Sequence, residues 1–312
     1  MERLVEPRVV ALGGGHGLYA TLDAVRKVVT QLTAIVTVAD NGGSSGRLRG
    51  EFGVLPPGDL RMALAALCGD DEWGQTWARV VQHRFAGEGE MRGHTIGNLL
   101  IVALWEILGD HVDALDLVGR LLGAEGRVLP MAITPMDITA QVVREDGTRD
   151  TVRGQVDVAS TTARIEQIRL DPAAPRACPE AVQAVLDADW VLLGPGSWYT
   201  SVIPHLMVPE LRAALSRSDA RLAVVVNLEP QPGETEHFEP EDHLRTLLDH
   251  APGLRIDTVV ADRQSATDSP GLPSYVEGLG ARLLLDDLVA DGHSGRHDSD
   301  KLAGALRRMI QG

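Results

Sequence analysis

The chain is poor in cysteine, in aromatic residues and in basic charge. Its 312 residues include two cysteines, Cys68 and Cys178, and phenylalanine, tryptophan and tyrosine together make up 4%. Two cysteines this far apart form neither a C-x-x-C pair nor a disulfide framework, so we expect a reducing compartment and two buried thiols. With 29 basic and 44 acidic side chains the net charge is −15, which argues against nucleic-acid binding through a broad basic surface.

Long hydrophobic runs are also missing. The segment 1–7 has no continuous apolar stretch of signal-peptide length, and no later stretch approaches the ~20 apolar residues that span a bilayer. The histidines form no H-E-x-x-H motif and no cysteine–histidine spacing typical of zinc, and we expect His237, His243 and His250 to be solvated. The sequence therefore predicts a cytoplasmic protein with no membrane span and no zinc site.

Short apolar strands, two of which end in glycine, are abundant in the chain. Segments 8–12, 32–39, 190–193, 222–226 and 256–260 are rich in β-branched and aliphatic residues, and helical periodicity follows most of them. This alternation predicts an α/β fold with a mostly parallel sheet and helices on both faces. Ligands of such sheets bind outside the carboxyl ends of the strands, where the strand order reverses.

One stretch departs from this pattern. Between residues 127 and 171 the hydrophobic period changes to two, and Glu145-Asp146-Gly147-Thr148 supplies a hairpin turn. No internal repeat, low-complexity tract or linker is visible. We therefore predict a single α/β domain over residues 1–312 with a small β-rich insertion at 127–171.

The first glycine loop lies between a buried strand and a helix and contains Gly14, Gly15, His16 and Gly17. Free N–H groups at a helix start favour an anion, and glycine lets a phosphate approach the backbone. Leu18 stands where G-x-G-x-x-G requires its last glycine, and no Gly-Lys-Ser/Thr follows for a P-loop. The alternative is a tight turn that binds no ligand.

The second loop combines a carboxylate, glycines, hydroxyls and a following arginine, all suited to a phosphate, a sugar or a metal. Its candidate binding residues are Asp40, Asn41, Gly42, Gly43, Ser44 and Ser45. The alternative is a solvated surface loop. The segment Gly42-x-Ser44-x-Gly46 formally matches a nucleophile elbow, but no acid and histidine partners can be assigned from the sequence.

Further polar residues stand at helix starts and strand ends. Asp59 and Arg61 open a helix, and His94 and Asn98 lie four apart on one face of an apolar helix, where each needs a polar partner. A third glycine turn follows the strand at 190–193. Its candidate residues, with the strand-end asparagine of the next strand, are Gly194, Gly196, Ser197 and Asn227.

Several of these segments together resemble the YvcK-like gluconeogenesis factor family. The motifs, in chain order, are VVALGGGHGL (9–18), VADNGGSSGRLR (38–49), PPGDLR (56–61), GHTIGNL (93–99), GPGS (194–197), Asn227, PGET (232–235) and RHD (296–298). Several long motifs in fixed order are far more specific than any single glycine loop, and they cover nearly the whole chain.

The resemblance implies a Rossmann-like fold shared with the phospholactate transferase CofD of deazaflavin cofactor synthesis. It also implies a protein that binds UDP-N-acetylglucosamine and links carbon supply to peptidoglycan precursors and cell shape through regulatory protein partners. By the same resemblance Arg296 binds the nucleotide sugar, and His16 replaces a threonine common in relatives. Asn41 stands where many relatives carry a second aspartate, and the segment 262–273 diverges.

Three hypotheses follow. The first is a non-catalytic regulator that requires no cofactor and binds a UDP-sugar or a related nucleotide, with Asp40, Asn98 or Asn227 contacting hydroxyls. The second is a transferase of a phosphoryl-linked group in which Asp40 and Asp59 hold Mg²⁺. The third, a nicotinamide dehydrogenase, has no assignable acid. We assign no catalytic residue, and the oligomeric state, a homo-oligomer included, stays open.

Overall fold

The computed structural model describes residues 6–231 and 234–311. Met1–Val5, on which part of the signal-peptide argument rests, lie outside the described residues, as do Pro232 and Gly233 of the PGET motif. Both cysteines are buried as free thiols, as the sequence predicts, and burial raises the pKa of Cys68 to about 11.

A seven-stranded parallel sheet forms the centre of the fold and confirms the predicted α/β class. All five residues of the first strand are buried, which explains why that segment is an unbroken apolar run. The strands are β1 (Val9–Gly13), β2 (Leu32–Val36), β3 (Arg127–Pro130), β7 (Trp190–Leu193), β8 (Arg221–Val225), β9 (Thr258–Asp262) and β10 (Arg282–Asp286). Their order in the sheet is β10-β9-β8-β7-β1-β2-β3.

Helices surround this sheet. Those of the first half are α1 (Gly15–Val25), α2 (Gly43–Phe52), α3 (Gly58–Ala66), α4 (Glu72–Gln82), α5 (Ile96–Leu108) and α6 (His111–Leu122). Those of the second half are α8 (Pro179–Asp187), α9 (Ile203–Met207), α10 (Pro209–Arg217), α11 (Pro240–His250), α12 (Arg263–Asp268), α13 (Gly271–Gly278) and α14 (Ser299–Gln311), with a π-helical turn at Trp198–Val202. In the described part of the chain no helix is long and apolar enough to cross a bilayer.

Helix α2 differs from the sequence prediction, which made the whole second glycine loop irregular. Three glycines in ten residues give this segment low intrinsic helix propensity. Tertiary contacts override that preference, because the helix packs Ser44, Ser45 and Leu48 into the interior. Gly53 then ends the helix in the left-handed conformation that glycine adopts without strain.

A separate antiparallel sheet has the order β5-β4-β6. It comprises β4 (Asp137–Val143), β5 (Arg149–Arg153) and β6 (Arg164–Asp171), with helix α7 (Gln155–Ser160) between the last two. The β-rich unit begins at Asp137 rather than at residue 127, because Arg127–Pro130 pairs in parallel with β2 as an edge of the main sheet. A small hairpin of β11 (Val289–Ala290) and β12 (His293–His297) precedes α14.

The strand order reverses beside β1. From β1 the chain runs to β2 and β3 on one side, whereas β7 to β10 follow one another on the other side. The loops that leave β1 and β7 therefore diverge from a shared point at the carboxyl edge of the sheet. The first and third glycine loops are these two loops.

Candidate functional site

A cavity of about 310 Å³ lies at this reversal point, and we call it the cleft. Five of the residues singled out in the sequence line it: His16, Gly17, Gly196, Asn227 and Arg296. Tyr19, Gln231 and His297 also line the cleft and were not among the sequence candidates. Of these, only His297 lay in a recognisable motif, next to Arg296.

The two glycine loops contact each other closely at the cleft. A Cβ atom added at Gly17 would lie 2.6 Å from the Cα atom of Gly196 and even closer to the backbone of Pro195. No flexible side chain is available to move aside, so this contact requires glycine at position 17. Gly14 is confined by side chains instead, since an added Cβ would lie 2.6 Å from a carboxylate oxygen of Asp59 and closer still to Thr37 Cγ2.

The start of helix α1 presents backbone donors to the cleft. The amide of Gly15 donates a hydrogen bond to the Asp59 carboxylate. The amides of His16 and Gly17 have no acceptor in the described part of the chain, because the intrahelical ladder begins with Leu18 donating to Gly14. Two free amides at the positive end of a helix dipole favour an anion.

The hairpin β11–β12 adds two side chains. Arg296 is exposed and has no ion-pair partner among residues 6–231 and 234–311. The buried Nε2 atom of His297 has no hydrogen-bond partner, and burial lowers the pKa of this imidazole to about 4. The cleft therefore contains a free cation and a neutral imidazole next to the free amides of α1.

The third glycine turn is held by other protein groups. Gly196 donates its amide to Asn227 Oδ1 at 2.8 Å and accepts from Asn227 Nδ2 at 2.9 Å. Ser197 Oγ donates to Glu234 Oε1 at 2.5 Å, and Glu234 Oε2 accepts from the amide of Tyr199 at 3.3 Å. Desolvation raises the pKa of the buried Glu234 carboxyl. Asn227 and Ser197 thus use their polar atoms to build the turn.

Seven other sequence candidates assemble behind the cleft, and we call this set the polar cluster. Ser44 Oγ lies 3.0 Å from His94 Nδ1 and accepts from Asn98 Nδ2, also at 3.0 Å. The histidine partner that the sequence could not assign to Ser44 is therefore His94, fifty residues away. The members of the cluster are Asp40, Ser44, Ser45, Asp59, Arg61, His94 and Asn98.

The electrostatics of the polar cluster centre on Asp59. Desolvation and the neighbouring Asp40 carboxylate raise the pKa of Asp59 to about 7. Desolvation, together with repulsion from Arg84, lowers the pKa of Arg61 to about 10. The buried atoms Arg61 Nε and Asn98 Oδ1 have no hydrogen-bond partner, so this cluster has unused hydrogen-bonding capacity.

The cleft and the polar cluster meet at Gly14 and Gly15 through the Asp59 carboxylate. Residues 40–45 do not line the cleft itself. Within this loop Asn41 contacts another element, since its Oδ1 accepts from the Val156 amide at the start of α7. Asn41 therefore ties the second loop to the antiparallel unit.

The polar cluster offers two carboxylates, those of Asp40 and Asp59, to a divalent cation. Between residues 6 and 231 and between 234 and 311, no group of three or more histidine, cysteine or acidic side chains is arranged to hold a metal. Gly58, the first residue of α3, lies close to the second loop, since a Cβ added to it would lie 3.2 Å from Asp40 Oδ2. Two carboxylates fit the pattern of Mg²⁺, which commonly takes one or two protein carboxylates plus ligand phosphates and water.

Comparison with known proteins places the chain in a family. The family model described as 2-phospho-L-lactate transferase CofD matches residues 9–287. A relative from Mycobacterium leprae is 49% identical over 306 residues, covering 96% of this chain and 85% of its own. The Bacillus subtilis protein named gluconeogenesis factor is 33% identical and covers 98% of this chain and 99% of its own.

A solved structure agrees in fold. The crystal structure of a UPF0052 family member from Bacillus halodurans superimposes with a TM-score of 0.86 and 32% sequence identity. The match covers 97% of this chain and 99% of that one. The family model, the full-length relatives and the shared fold agree with the motifs around the cleft, and the chain belongs to the gluconeogenesis factor branch of the CofD family.

Proposed function

We propose that the chain binds a nucleotide sugar, UDP-N-acetylglucosamine, in the cleft and acts as a regulator rather than as an enzyme. One observation supports the proposal above the others. The free amides of His16 and Gly17 and the unpaired Arg296 converge on one cavity at the reversal point of a parallel sheet. A diphosphate matches this set of donors, because it carries two charges and several acceptor oxygens.

The polar cluster supports a second contact region. Arg61 and Asn98 each keep a buried polar atom without a partner, and Asp40 stands beside them. Sugar or ribose hydroxyls that reach past Gly14 would satisfy these groups. The requirement for hydroxyls at matched positions would favour one nucleotide sugar over another, because an unmatched analogue leaves buried groups unpaired.

The regulatory role rests on the family to which the chain belongs. Relatives named gluconeogenesis factor support a link to carbon metabolism. In the proposed role, ligand binding favours one arrangement of the glycine loops, and partner proteins that control cell-wall precursor synthesis and cell shape bind that arrangement with different affinity.

Calorimetry with UDP-N-acetylglucosamine tests the proposal. We expect saturable binding to the wild type and a Kd raised roughly 20-fold in Arg296→Ala, which corresponds to one lost charge-assisted hydrogen bond. Arg212→Ala is the matched control, since Arg212 is exposed on α10 away from the cleft. Absence of heat at millimolar ligand, or equal affinity for UDP, which lacks the N-acetylglucosamine, would contradict the proposal.

A Mg²⁺-dependent transferase of a phosphoryl-linked group is the second candidate. It is favoured by the proximity of Asp40 and Asp59 and by the transferase for which the matching family model is named. When bound, Mg²⁺ would neutralise developing charge on a transferred phosphoryl group. Asp40 and Asp59 would hold the ion, and Arg61 would orient the substrate phosphates.

Phosphorus NMR of a nucleoside diphosphate-linked donor, incubated with the protein, Mg²⁺ and a hydroxyl-bearing acceptor for the transferred group, separates the two candidates. The transferase predicts new phosphorus resonances that disappear in Asp40→Ala and on chelation of the metal. The regulator predicts an unchanged donor spectrum together with calorimetric binding. A thermal-shift screen of nucleotide sugars with and without Mg²⁺ would first identify which donor to use.

A further inference from the structure

The cleft contains an acidic side chain that its anion-binding groups do not explain. Among the described residues that line the cleft, Glu229 is the only acid, and its side chain is exposed. It forms no ion pair with Arg296, although both residues line the same cavity. A free carboxylate beside a diphosphate weakens binding, because like charges repel. Its position therefore calls for a ligand group that donates hydrogen bonds to it.

The carboxylate of Glu229 lies against a glycine of the hairpin β11–β12. A Cβ atom added at Gly295 would lie 3.0 Å from Glu229 Oε2, closer than side chains normally approach. The backbone of Gly295 is not in the left-handed conformation that favours glycine. The close approach of the carboxylate, rather than the backbone conformation, therefore favours glycine at this position. It brings the carboxylate to the residue that precedes Arg296 in the strand.

Two other residues of the cleft contain buried polar atoms without a partner. Within residues 6–231 and 234–311, Gln231 Oε1 has no hydrogen-bond partner, and neither has Nε2 of the neutral imidazole of His297. Both residues line the cleft. Carboxylate and amide oxygens accept hydrogen bonds and cannot donate them. This part of the cleft therefore suits hydroxyl groups, whereas the start of α1 suits phosphate.

A second cavity, of about 280 Å³, adjoins the cleft along the loop that follows β8. Residues 227–230 line both cavities, so Glu229 borders the cleft and the second cavity at once. Phe238 and His243 line the second cavity, and the centres of their rings lie 5.2 Å apart. Aromatic side chains are the groups on which proteins stack nucleobases. The second cavity is therefore suited to a flat heterocyclic ring.

From this order of surfaces we infer that Glu229 binds the 2′,3′-diol of the ribose of the nucleotide. Phosphate donors, the Glu229 carboxylate and an aromatic cavity follow one another, and a nucleotide has the same order of diphosphate, ribose and base. In dinucleotide-binding folds an acidic residue likewise accepts from a ribose hydroxyl. The inference rests on the proposed function, since it requires a nucleotide diphosphate in the cleft. It leaves the polar cluster to the N-acetylglucosamine.

Calorimetry with UDP and 2′-deoxy-UDP tests the inference. The wild type should bind UDP roughly tenfold more tightly, because the deoxy ligand lacks a hydrogen bond to a charged group. Glu229→Gln should reduce this preference to about twofold, since a neutral amide forms the weaker hydrogen bond. The substitution also removes a charge that repels the diphosphate. The variant should therefore bind 2′-deoxy-UDP at least as tightly as the wild type does.

Glu210→Gln is the matched control. It makes the same change at an exposed glutamate of α10, and Glu210 lines neither cavity. This variant should keep the tenfold preference for UDP. Circular dichroism melting should show the same stability for both variants and the wild type, because both glutamates are exposed.

UDP-N-acetylgalactosamine distinguishes the ribose from the sugar, because it differs from UDP-N-acetylglucosamine only in the configuration of one sugar hydroxyl. Glu229→Gln should leave the ratio of the two affinities unchanged. A changed ratio, with the preference for UDP over 2′-deoxy-UDP retained, would assign Glu229 to the sugar and overturn the inference. Equal affinity of the wild type for UDP and 2′-deoxy-UDP would overturn the inference alone. Absence of binding by every one of these nucleotides would overturn the proposed function with it.

Discussion

The third glycine turn and the polar cluster look alike in the sequence but differ in how their polar atoms are used. In the turn, both amide atoms of Asn227 bind Gly196, and Ser197 and Thr200 share the Glu234 carboxylate. In the polar cluster, Arg61 Nε and Asn98 Oδ1 are buried without partners. The turn is complete without a ligand, whereas the polar cluster is not.

This difference distinguishes the groups that hold a loop in place from the groups that are free to bind a ligand. Groups that already have protein partners stabilise the loop and gain little from a ligand, because binding would only exchange one hydrogen bond for another. Groups left buried without partners cost free energy in the unbound protein and recover it when a ligand pairs with them. Substitutions in the two regions should therefore differ in their balance between stability and affinity.

Gly17→Ala should have the largest effect, because it breaks the backbone contact between the first glycine loop and the third glycine turn. The added Cβ would be forced into the backbone of Pro195 and Gly196. We expect the free energy of unfolding to fall by about 3 kcal/mol and nucleotide-sugar binding to be lost. Gly50→Ala is the control: it lies in α2 with open space around it, so urea unfolding should show equal or greater stability.

Arg61→Met should weaken binding more than folding. Removal of a buried guanidinium that is available to a ligand should raise the Kd for UDP-N-acetylglucosamine roughly 50-fold, as measured by calorimetry. At pH 6, where Asp59 is largely protonated, we expect the free energy of unfolding to change by less than about 1 kcal/mol. Met in place of Arg keeps the length and most of the apolar contact of the side chain.

Arg26→Met is the matched comparison. Arg26 pairs with three carboxylates, those of Asp23, Asp70 and Glu125. Its replacement should lower stability and leave the Kd unchanged, the reverse of the result for Arg61. Equal effects of both variants on affinity would remove the distinction between the paired and the unpaired arginine.

The raised pKa of Asp59 predicts a pH dependence. The pKa of Asp59 is about 7 in the folded state and near 3.8 in the unfolded state. Between these two pH values the folded state therefore binds one more proton at this carboxyl than the unfolded state does. The contribution of Asp59 to stability is therefore fully present below about pH 4 and is lost as the pH rises to about 7. Asp59→Asn should remove this decline, gaining about 2 kcal/mol relative to the wild type between pH 5 and pH 7.5.

Urea unfolding of the wild type and of Asp59→Asn at several pH values measures this difference in stability. The contributions of the other titrating groups cancel because both proteins contain them. Asp40→Asn gives a second comparison. It removes the charge that helps to raise the pKa of Asp59, so it should shift the decline of stability to lower pH. Parallel stability curves for wild type and Asp59→Asn would show that this carboxyl titrates normally.

Asn227→Ala should have the smallest effect. Loss of the two hydrogen bonds to Gly196 should lower the free energy of unfolding by about 1.5 kcal/mol. Because we assign Asn227 to the turn and not to the sugar, calorimetry should show UDP and UDP-N-acetylglucosamine weakened by the same factor. A loss confined to the sugar nucleotide would return Asn227 to direct recognition.

Much of the fold could be predicted from residue patterns. The buried strands beside β1 are unbroken apolar runs, and α3 begins at Gly58, next to the helix start predicted at Asp59. The family could be recognised because long motifs keep their order along the chain. Helix α2 was not predicted because its three glycines give it a low intrinsic helix propensity. Strand β3 was assigned to the insertion because its four residues are too few to show a clear hydrophobic period.

The burial of the histidines also could not be predicted from the sequence. The expectation that His243 is solvated is wrong: it is buried against the ring of Trp198, and desolvation lowers its pKa to about 4. A helical face in sequence indicates which residues share a side, but not what packs against that side. Here His243 is covered by Trp198, which lies in a turn some forty residues away in the chain.

The sequence by itself determined the strands, the glycine loops and their order, because these depend on local periodicity and on conformations that only glycine adopts easily. The tertiary structure decided which polar residues have partners. Asn227 and Arg61 are both plausible ligand contacts in the sequence, yet one is bonded to Gly196 and the other keeps an unpaired buried atom. Hydrogen bonding between distant segments depends on distances and directions that no single segment specifies, and it fixes the chemical role of each side chain.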